Sequence, residues 1–300
     1  MNGVFEQAFR GRRVLVTGGA GFVGGAVAQR LVELGAQVTV LDDLFTGLPE
    51  TVPNGARFVQ GSVTDQALIN DLVAENALVF HLAARNIIAS TKNPRDDFET
   101  NIGGTLNVLM AARETKVDRI VYSSSTSIYG NPRSIPINED DLLIPLTPYA
   151  VSKLGGEHYC FAIYESYGLP IGCVRYSNIY GPGQRPDNPY CGVVSKFLAM
   201  TDDGAPISIH GDGEQTRDFT FIDDAVDATL LTAIHPRAEG EVFNVGTGIE
   251  TSVNQLARMI GRALDIPVTL EQGLARTAIW FRESGFAAER DAPATGAATH

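Results

Sequence analysis

Apolar and polar positions along the chain fall into two alternating periods. Val14-Leu15-Val16 is a short continuous apolar run, followed by a glycine-rich turn and helical spacing from about Gly21 to Leu34. Gly35 closes that helix, and Val38-Thr39-Val40-Leu41 forms the next apolar run. The alternation continues, with Arg57–Gln60, Leu78–Leu82, Arg119–Ser123 and Ile171–Tyr176 reading as strands. Asp97–Thr115 and Pro148–Tyr167 are the clearest helices between them. Near-continuous apolar strands separated by amphipathic helices predict a parallel sheet covered on both faces. The expected fold is α/β, a doubly wound, Rossmann-like parallel sheet, which binds its ligand beyond the carboxyl ends of its strands.

After about Ser177 the pattern changes. Gly181-Pro182-Gly183-Gln184-Arg185-Pro186 reads as loop, and Gly and Pro recur as far as Gly213. The organisation expected is a dinucleotide-binding domain over residues 1–177, with segments near 215–246 returning to it. Residues 178–288 then form mainly a small C-terminal substrate-binding lobe. The end, Glu289 to His300, is rich in Ala, Thr and Pro and reads as a disordered tail. There is no internal repeat.

Composition narrows the function more than the fold. With 300 residues, 44% hydrophobic and 19% charged, the chain reads as a globular enzyme with a sizeable core. No apolar run reaches bilayer-spanning length, and Met1 to Arg13 lacks the apolar centre of a signal peptide. A net charge of −12 argues against nucleic acid, whose binding rests on phosphate neutralisation by Lys and Arg. An anionic substrate would need a locally basic pocket against that field. Cys160, Cys173 and Cys191 show no metal-ligand spacing and cannot all pair, which predicts a reducing cytoplasm and no metal.

Two constellations carry chemistry. The first is Thr17-Gly18-Gly19-Ala20-Gly21-Phe22-Val23-Gly24, between a strand and a helix, with glycines at 18, 21 and 24. This GxxGxxG spacing is a variant of the dinucleotide fingerprint. It provides a tight turn, close approach to a pyrophosphate, and a helix N-terminus whose free N–H groups and dipole favour phosphate. Asp42 ends the second strand, where a carboxylate accepts both ribose hydroxyls and repels the extra phosphate of NADP, so NAD is the expected cofactor.

The second constellation is Tyr149 and Lys153, four apart on a helix that starts at Thr147-Pro148 and therefore on one face. A phenol has a reference pKa of about 10, and a nearby ammonium together with a positive nicotinamide ring would favour the phenolate. Ser125, at the end of Tyr122-Ser123-Ser124-Ser125-Thr126, could hydrogen-bond the same substrate oxygen. Spacing alone leaves a second reading open, in which the lysine covers an aromatic ring and the serines form a turn. The order of glycine turn, serine strand end and Tyr-x-x-x-Lys helix favours the catalytic one.

That order resembles the extended short-chain dehydrogenases, specifically the NAD-dependent epimerase/dehydratase family. The resemblance runs from about Arg12 to Ile266. It includes Asp42-Asp43-Leu44, His81-Leu82-Ala83-Ala84, Asn101-Ile102-Gly103-Gly104-Thr105 and Tyr129-Gly130. It also includes Arg175-Tyr176-Ser177-Asn178, Gly211 to Phe219 and Asn244-Val245-Gly246. The resemblance implies reversible oxidation at C4 of a UDP-sugar by tightly held NAD, with Tyr149 taking the hydroxyl proton, assisted by Ser125. It implies cofactor contacts from Gly18, Gly21, Phe22, Val23, Gly24, Asp42 and Asp43. Further cofactor contacts fall to Ser62, Val63, Leu82, Ala83, Ala84, Asn101, Tyr149, Lys153 and Tyr176. It places Asn178, Val193, Ser208 and His210 on the nucleotide sugar and Arg217 on its diphosphate, where a guanidinium can fork onto phosphate oxygens. It also implies a homodimer, with Asp97–Thr115 and Pro148–Tyr167 forming a four-helix bundle with their partners.

Within the resemblance, dehydratases carry Asp-Glu where this chain has Thr126-Ser127, and decarboxylases carry Glu in place of Ser127. Simple epimerisation therefore fits best, with a nucleotide-sugar oxidoreductase or an impaired NAD-binding scaffold as the alternatives. Two departures stand out. Ser62 replaces the usual adenine-binding Asp, and Val268-Thr269-Leu270 runs directly into Glu271-Gln272-Gly273, as though a pocket-forming segment were shortened.

Overall fold

The computed structural model describes residues 2–188, 191–209 and 211–263. The expected shortening after Val268, the tail from Glu289, and His210 all lie outside the described residues. Among the described residues two compact units emerge, one formed by 2–188 with 218–249, the other by 191–217 with 250–263.

The first unit is built on seven parallel strands: β1 (Arg13–Thr17), β2 (Gln37–Asp42), β3 (Arg57–Gln60), β4 (Leu78–His81), β5 (Arg119–Ser125), β6 (Ile171–Tyr176) and β10 (Val242–Val245). Their spatial order is β10-β6-β5-β4-β1-β2-β3, so the order in which the chain adds strands reverses between β1 and β4. That is a doubly wound, Rossmann-like order with a switch point at which ligands bind. A short parallel pair, β7 (Asn178–Tyr180) with β9 (Phe219–Phe221), lies alongside. The helices are α1 (Asn2–Phe9), α2 (Phe22–Glu33), α3 (Gln66–Ala74), α4 (Ile87–Lys92), α5 (Pro94–Asp97), α6 (Thr105–Thr115), α7 (Pro148–Tyr167) and α9 (Ile222–Ile234).

The strands are apolar on both sides because each side has its own core. Val14, Val16, Val38, Val40, Phe80, Val121 and Val174 pack with Val27, Leu31, Val226 and Leu230 of α2 and α9. The other side buries Leu15, Leu41, Val79, Ile120 and Ile171 against Ile69, Val108, Leu109 and Ile163 of α3, α6 and α7. Helix α7 starts as its sequence predicts, with the Thr147 side chain accepting from Ala150 N–H and Pro148 at the first position. It ends at Gly168, in the left-handed conformation at φ +68°.

Two features differ from the pattern of apolar positions. The helix expected over Asp97–Thr115 is interrupted: α5 passes through a π-helical stretch, Phe98–Gly104, before α6. Helix α1 has no counterpart among the expected elements, yet it buries Phe5 and Phe9 completely, Phe9 against Phe80 with ring centroids 6.3 Å apart.

The second unit holds α8 (Val193–Asp202), α10 (Val253–Ala263) and an antiparallel pair, β8 (Thr216–Arg217) with β11 (Thr251–Ser252). Phe197 of α8 and Leu256 and Ile260 of α10 are buried. No helix among the described residues is long and apolar enough to cross a membrane.

Candidate active site

The glycine turn leaves β1 with so little space that side chains are excluded at two positions. Gly18 has φ +72°, and a Cβ there would lie 2.7 Å from the backbone nitrogen of Ala83. A Cβ on Gly24 would lie 2.1 Å from the Gly18 carbonyl oxygen. Helix α2 opens at Gly21 with no side-chain cap, and Phe22 and Val23 form its first turn. Its leading N–H groups are thus left for an anion, as a dinucleotide pyrophosphate requires.

Beside the turn is a groove of about 460 Å³, partly open to solvent. Gly18, Asp42 and Asp43 wall one side, Ser62 and Val63 another, and Leu82, Ala83 and Ala84 a third. Asp42 is 8% exposed and accepts from the backbone N–H of Ala20 (3.0 Å) and Leu44 (2.8 Å). Burial raises its pKa, and those two bonds partly restore it. A carboxylate has about four acceptor positions, so a ribose diol can still be accommodated. The Ser62 hydroxyl pairs with Thr64 Oγ1 at 2.8 Å. These residues fit NAD: a closely packed glycine cradle, an uncapped helix start, a buried carboxylate and small walls.

Arg85 is a charged groove residue outside every motif in the sequence. Arg85 donates through Nε to Asp96 (2.7 Å) and through Nη1 to Asp43 (2.8 Å), and its guanidinium lies 4.3 Å from the Phe45 ring centroid. Its one sequence signal is a place directly after the His81–Ala84 strand end, but its carboxylate partners are 42 and 11 positions away. Asn101 braces the same loop. Its side chain accepts from Arg85 N–H (2.7 Å) and donates to Arg85 C=O, Asp97 and Ser152.

At the end of β5, the Ser125 hydroxyl neighbours the Tyr149 phenol and favours its ionised form. Burial pushes the Tyr149 phenol up to about 12; the Ser125 hydroxyl lowers it and Asp97 raises it further. The protein's own groups therefore keep this phenol neutral. Lys153 is 2% exposed, and burial first of all lowers it to about 8, against the pull of Asp97 and Glu157. Its ammonium donates to Ser123 Oγ at 3.4 Å and lies 4.7 Å from the Tyr122 ring centroid. The lysine does cover an aromatic ring, but from inside the protein and on β5, not as a solvent-facing stem over Tyr149. Tyr176, at the end of β6, spends its phenol on Thr229 at 2.5 Å, and burial raises its pKa.

The expected sugar-binding residues are more dispersed. Asn178 is exposed on β7 and donates to the Asp218 carbonyl at 3.1 Å. In the second unit, Val193 begins α8, Ser208 is exposed in a loop, and Arg217 is exposed on β8 with Nη1 on the Thr216 carbonyl at 2.7 Å. Arg217 forms no ion pair among the described residues, so its guanidinium is not neutralised by the nearby acids.

Fold and site together define a dinucleotide-dependent enzyme of Rossmann type, with a serine–tyrosine pair and a buried lysine at the carboxyl ends of its strands. Residues 14–246 match the profile of the NAD dependent epimerase/dehydratase family, and the chain belongs to that family. It is 38% identical over 264 residues to the UDP-glucose 4-epimerase of Mycolicibacterium smegmatis, covering 85% of this chain and 83% of that one. It is 36% identical over 258 residues to the UDP-N-acetyl-alpha-D-glucosaminuronate decarboxylase of Bacillus cytotoxicus, covering 83% and 79%. Among solved structures, the UDP-glucose 4-epimerase of Thermus thermophilus in complex with NAD superposes with a TM-score of 0.78. It is 35% identical to this chain, with 84% and 83% covered.

Proposed function

We propose that the protein is an NAD-dependent UDP-sugar 4-epimerase acting by transient oxidation at sugar C4. What carries this reading is Ser125 beside the Tyr149 phenol, with Thr126 and Ser127 next in the chain in place of carboxylates. Elimination or decarboxylation calls for an additional acid or base there, and hydroxyl side chains cannot supply one. NAD, when bound, supplies the acceptor and later the donor of the C4 hydride. The Tyr149 oxygen takes the proton of the 4-hydroxyl, Ser125 holds that same substrate oxygen, and the proton returns from Tyr149 after the 4-keto sugar has turned. Because burial holds the phenol near 12, positive charge from Lys153 and the nicotinamide is needed to bring it toward working pH.

In this proposal Gly18, Gly21, Phe22, Val23 and Gly24 hold the pyrophosphate, and Asp42 the ribose. Asp43, Ser62 and Val63 line the adenine end, while Leu82, Ala83, Ala84, Asn101 and Tyr176 line the rest. Arg217 forks onto the sugar's diphosphate, and Asn178, Val193, Ser208 and His210 contact the nucleotide sugar. We place the enzyme in the cytoplasm, in keeping with Cys160 and Cys173, which are buried as thiols and not bridged. We assign it a homodimer through α6 and α7, since Phe98 beside α6 and Val151 and Tyr159 on α7 are exposed apolar side chains. A light-scattering mass near the 32.1 kDa of one chain would remove the dimer.

The test is incubation with UDP-glucose, UDP-galactose, their N-acetylated counterparts and UDP-glucuronate without added cofactor, followed by proton NMR. Interconversion of one C4 pair is expected, and Tyr149→Phe should lower it by about 10²–10⁴-fold while NAD is retained. Absence of conversion even with added NAD would overturn the epimerase reading in favour of a scaffold. Release of NADH and a keto product would favour an oxidoreductase.

A further inference from the structure

A fully buried histidine lies beneath the cofactor groove, and the chemistry above makes no use of it. His81, 1% exposed at the end of β4, spans two threonines. Its Nδ1 is 2.7 Å from Thr17 Oγ1 of β1, and its Nε2 is 2.9 Å from Thr105 Oγ1 at the start of α6. The outer contacts fix which atom carries each proton. Thr105 Oγ1 lies 2.6 Å from the Asn101 carbonyl, which can only accept, so the Thr105 hydrogen is committed there. Thr105 must then accept from His81, which places a proton on Nε2. At the other end the backbone N–H of Ala83 donates to Thr17 Oγ1 (3.3 Å), and the Thr17 hydrogen has His81 Nδ1 as its acceptor. The directional chain is Ala83 N–H to Thr17, Thr17 O–H to Nδ1, Nε2–H to Thr105, and Thr105 O–H to the Asn101 carbonyl. The opposite tautomer would set a bare Nε2 against an oxygen with no hydrogen to offer, and leave the Thr17 hydroxyl proton unbonded.

This chain joins segments that must keep their spacing. Thr17 precedes Gly18, where an added Cβ would meet the Ala83 backbone nitrogen at 2.7 Å, so one wall of the NAD groove packs directly on another. Thr105 and Asn101 belong to the helix that braces the Arg85 loop. We infer that His81, locked as the neutral Nε2–H tautomer, is a positioning residue that sets the distance between the two walls of the NAD groove. The neutral form is the one the environment favours, since complete burial, with the Lys153 charge nearby, pushes His81 down to about 3. The inference rests on the cofactor site, not on the epimerase reading.

Two measurements test it. In the native protein, long-range proton–nitrogen NMR of the His81 ring, assigned through its own backbone, should show Nε2 protonated and Nδ1 bare. A protonated Nδ1 overturns the inference. Thr105→Val removes the acceptor for Nε2–H and should weaken NAD binding by about tenfold, the scale of one lost hydrogen bond, with Thr105→Ser restoring it. A lower melting temperature with unchanged NAD affinity would make His81 a mere core residue and also overturn the inference. Should Thr105→Val fail to fold, Thr17→Val, which removes the hydrogen that Nδ1 accepts, is read by the same NAD affinity with the same two outcomes. Neither readout needs sugar turnover, so failure of the epimerase assay would leave this test standing.

Discussion

Replacing Lys153 by methionine should give an inactive protein that is more stable than the original, with a gain that shrinks as pH rises. Lys153 is a buried ammonium with no ion pair among the described residues; its direct partners are the Ser123 hydroxyl and the face of Tyr122. The fall of its pKa from 10.5 to about 8 measures how much worse the folded protein solvates that charge than water does. At about 1.4 kcal/mol per pKa unit this is a cost of about 3.5 kcal/mol. Methionine keeps the length of the stem but loses the hydroxyl bond and the ring contact, together worth about 1.5 kcal/mol. The variant should therefore be about 2 kcal/mol more stable at pH 7.

The pH dependence separates this explanation from simple packing. Below pH 8 the lysine is protonated in both folded and unfolded chains, and the cost is present in full. Between about 8 and 10.5 the folded protein has already released the proton while the unfolded chain still holds it, so the original protein gains stability with rising pH. Above 10.5 both forms are neutral and the cost is gone. Urea unfolding of both proteins, freed of nucleotide, from pH 6.5 to 10 reads the difference directly. A variant less stable at pH 7, or a difference that stays level across the range, would refute the reasoning.

Two further outcomes follow from the geometry. Arg175 and Glu157 form a two-pronged ion pair, 4% and 1% exposed, between β6 and the helix that carries Tyr149. Glu157→Gln strands the arginine charge and should cost about 3–5 kcal/mol by urea unfolding. Gly24→Ala pushes a methyl group into the Gly18 carbonyl, 2.1 Å away, and should weaken NAD about 10–100-fold by calorimetry, the scale of an overpacked contact.

The strands are legible because each must be apolar on both faces, and a short apolar run between turn residues has few alternatives to a buried strand. The helix over Asp97–Thr115 is legible as helical but not as broken, since a π stretch keeps the same apolar spacing and differs only in its backbone hydrogen bonds. Helix α1 escapes notice because eight residues offer too few turns for periodicity to register, and its fixing contact, Phe9 on Phe80, is long-range. Strands β8 and β11, at two residues each, carry no pattern at all.

The site divides along the same line. Residue types whose role is set by the chain itself, such as Gly18, Gly24 and the Thr147-Pro148 start of α7, can be read directly. Residues whose role is set by what surrounds them cannot. Lys153 owes its place on the helix face to its spacing from Tyr149, but its weakened basicity comes from burial behind Tyr122 and Ser123, about thirty positions earlier. His81 is visible in its motif, yet only the threonines from β1 and α6 say which nitrogen holds its proton. The same reasoning explains why Tyr149 departs from the sequence expectation. A lysine on the same helix face suggests a lowered phenol pKa, whereas burial outweighs the neighbouring groups and leaves it near 12. Under the proposed function, a base that is neutral in the protein alone, and becomes competent only when a positively charged ring joins Lys153, would couple proton abstraction to the presence of oxidised cofactor. That coupling suits a reaction in which proton and hydride must leave the same carbinol together.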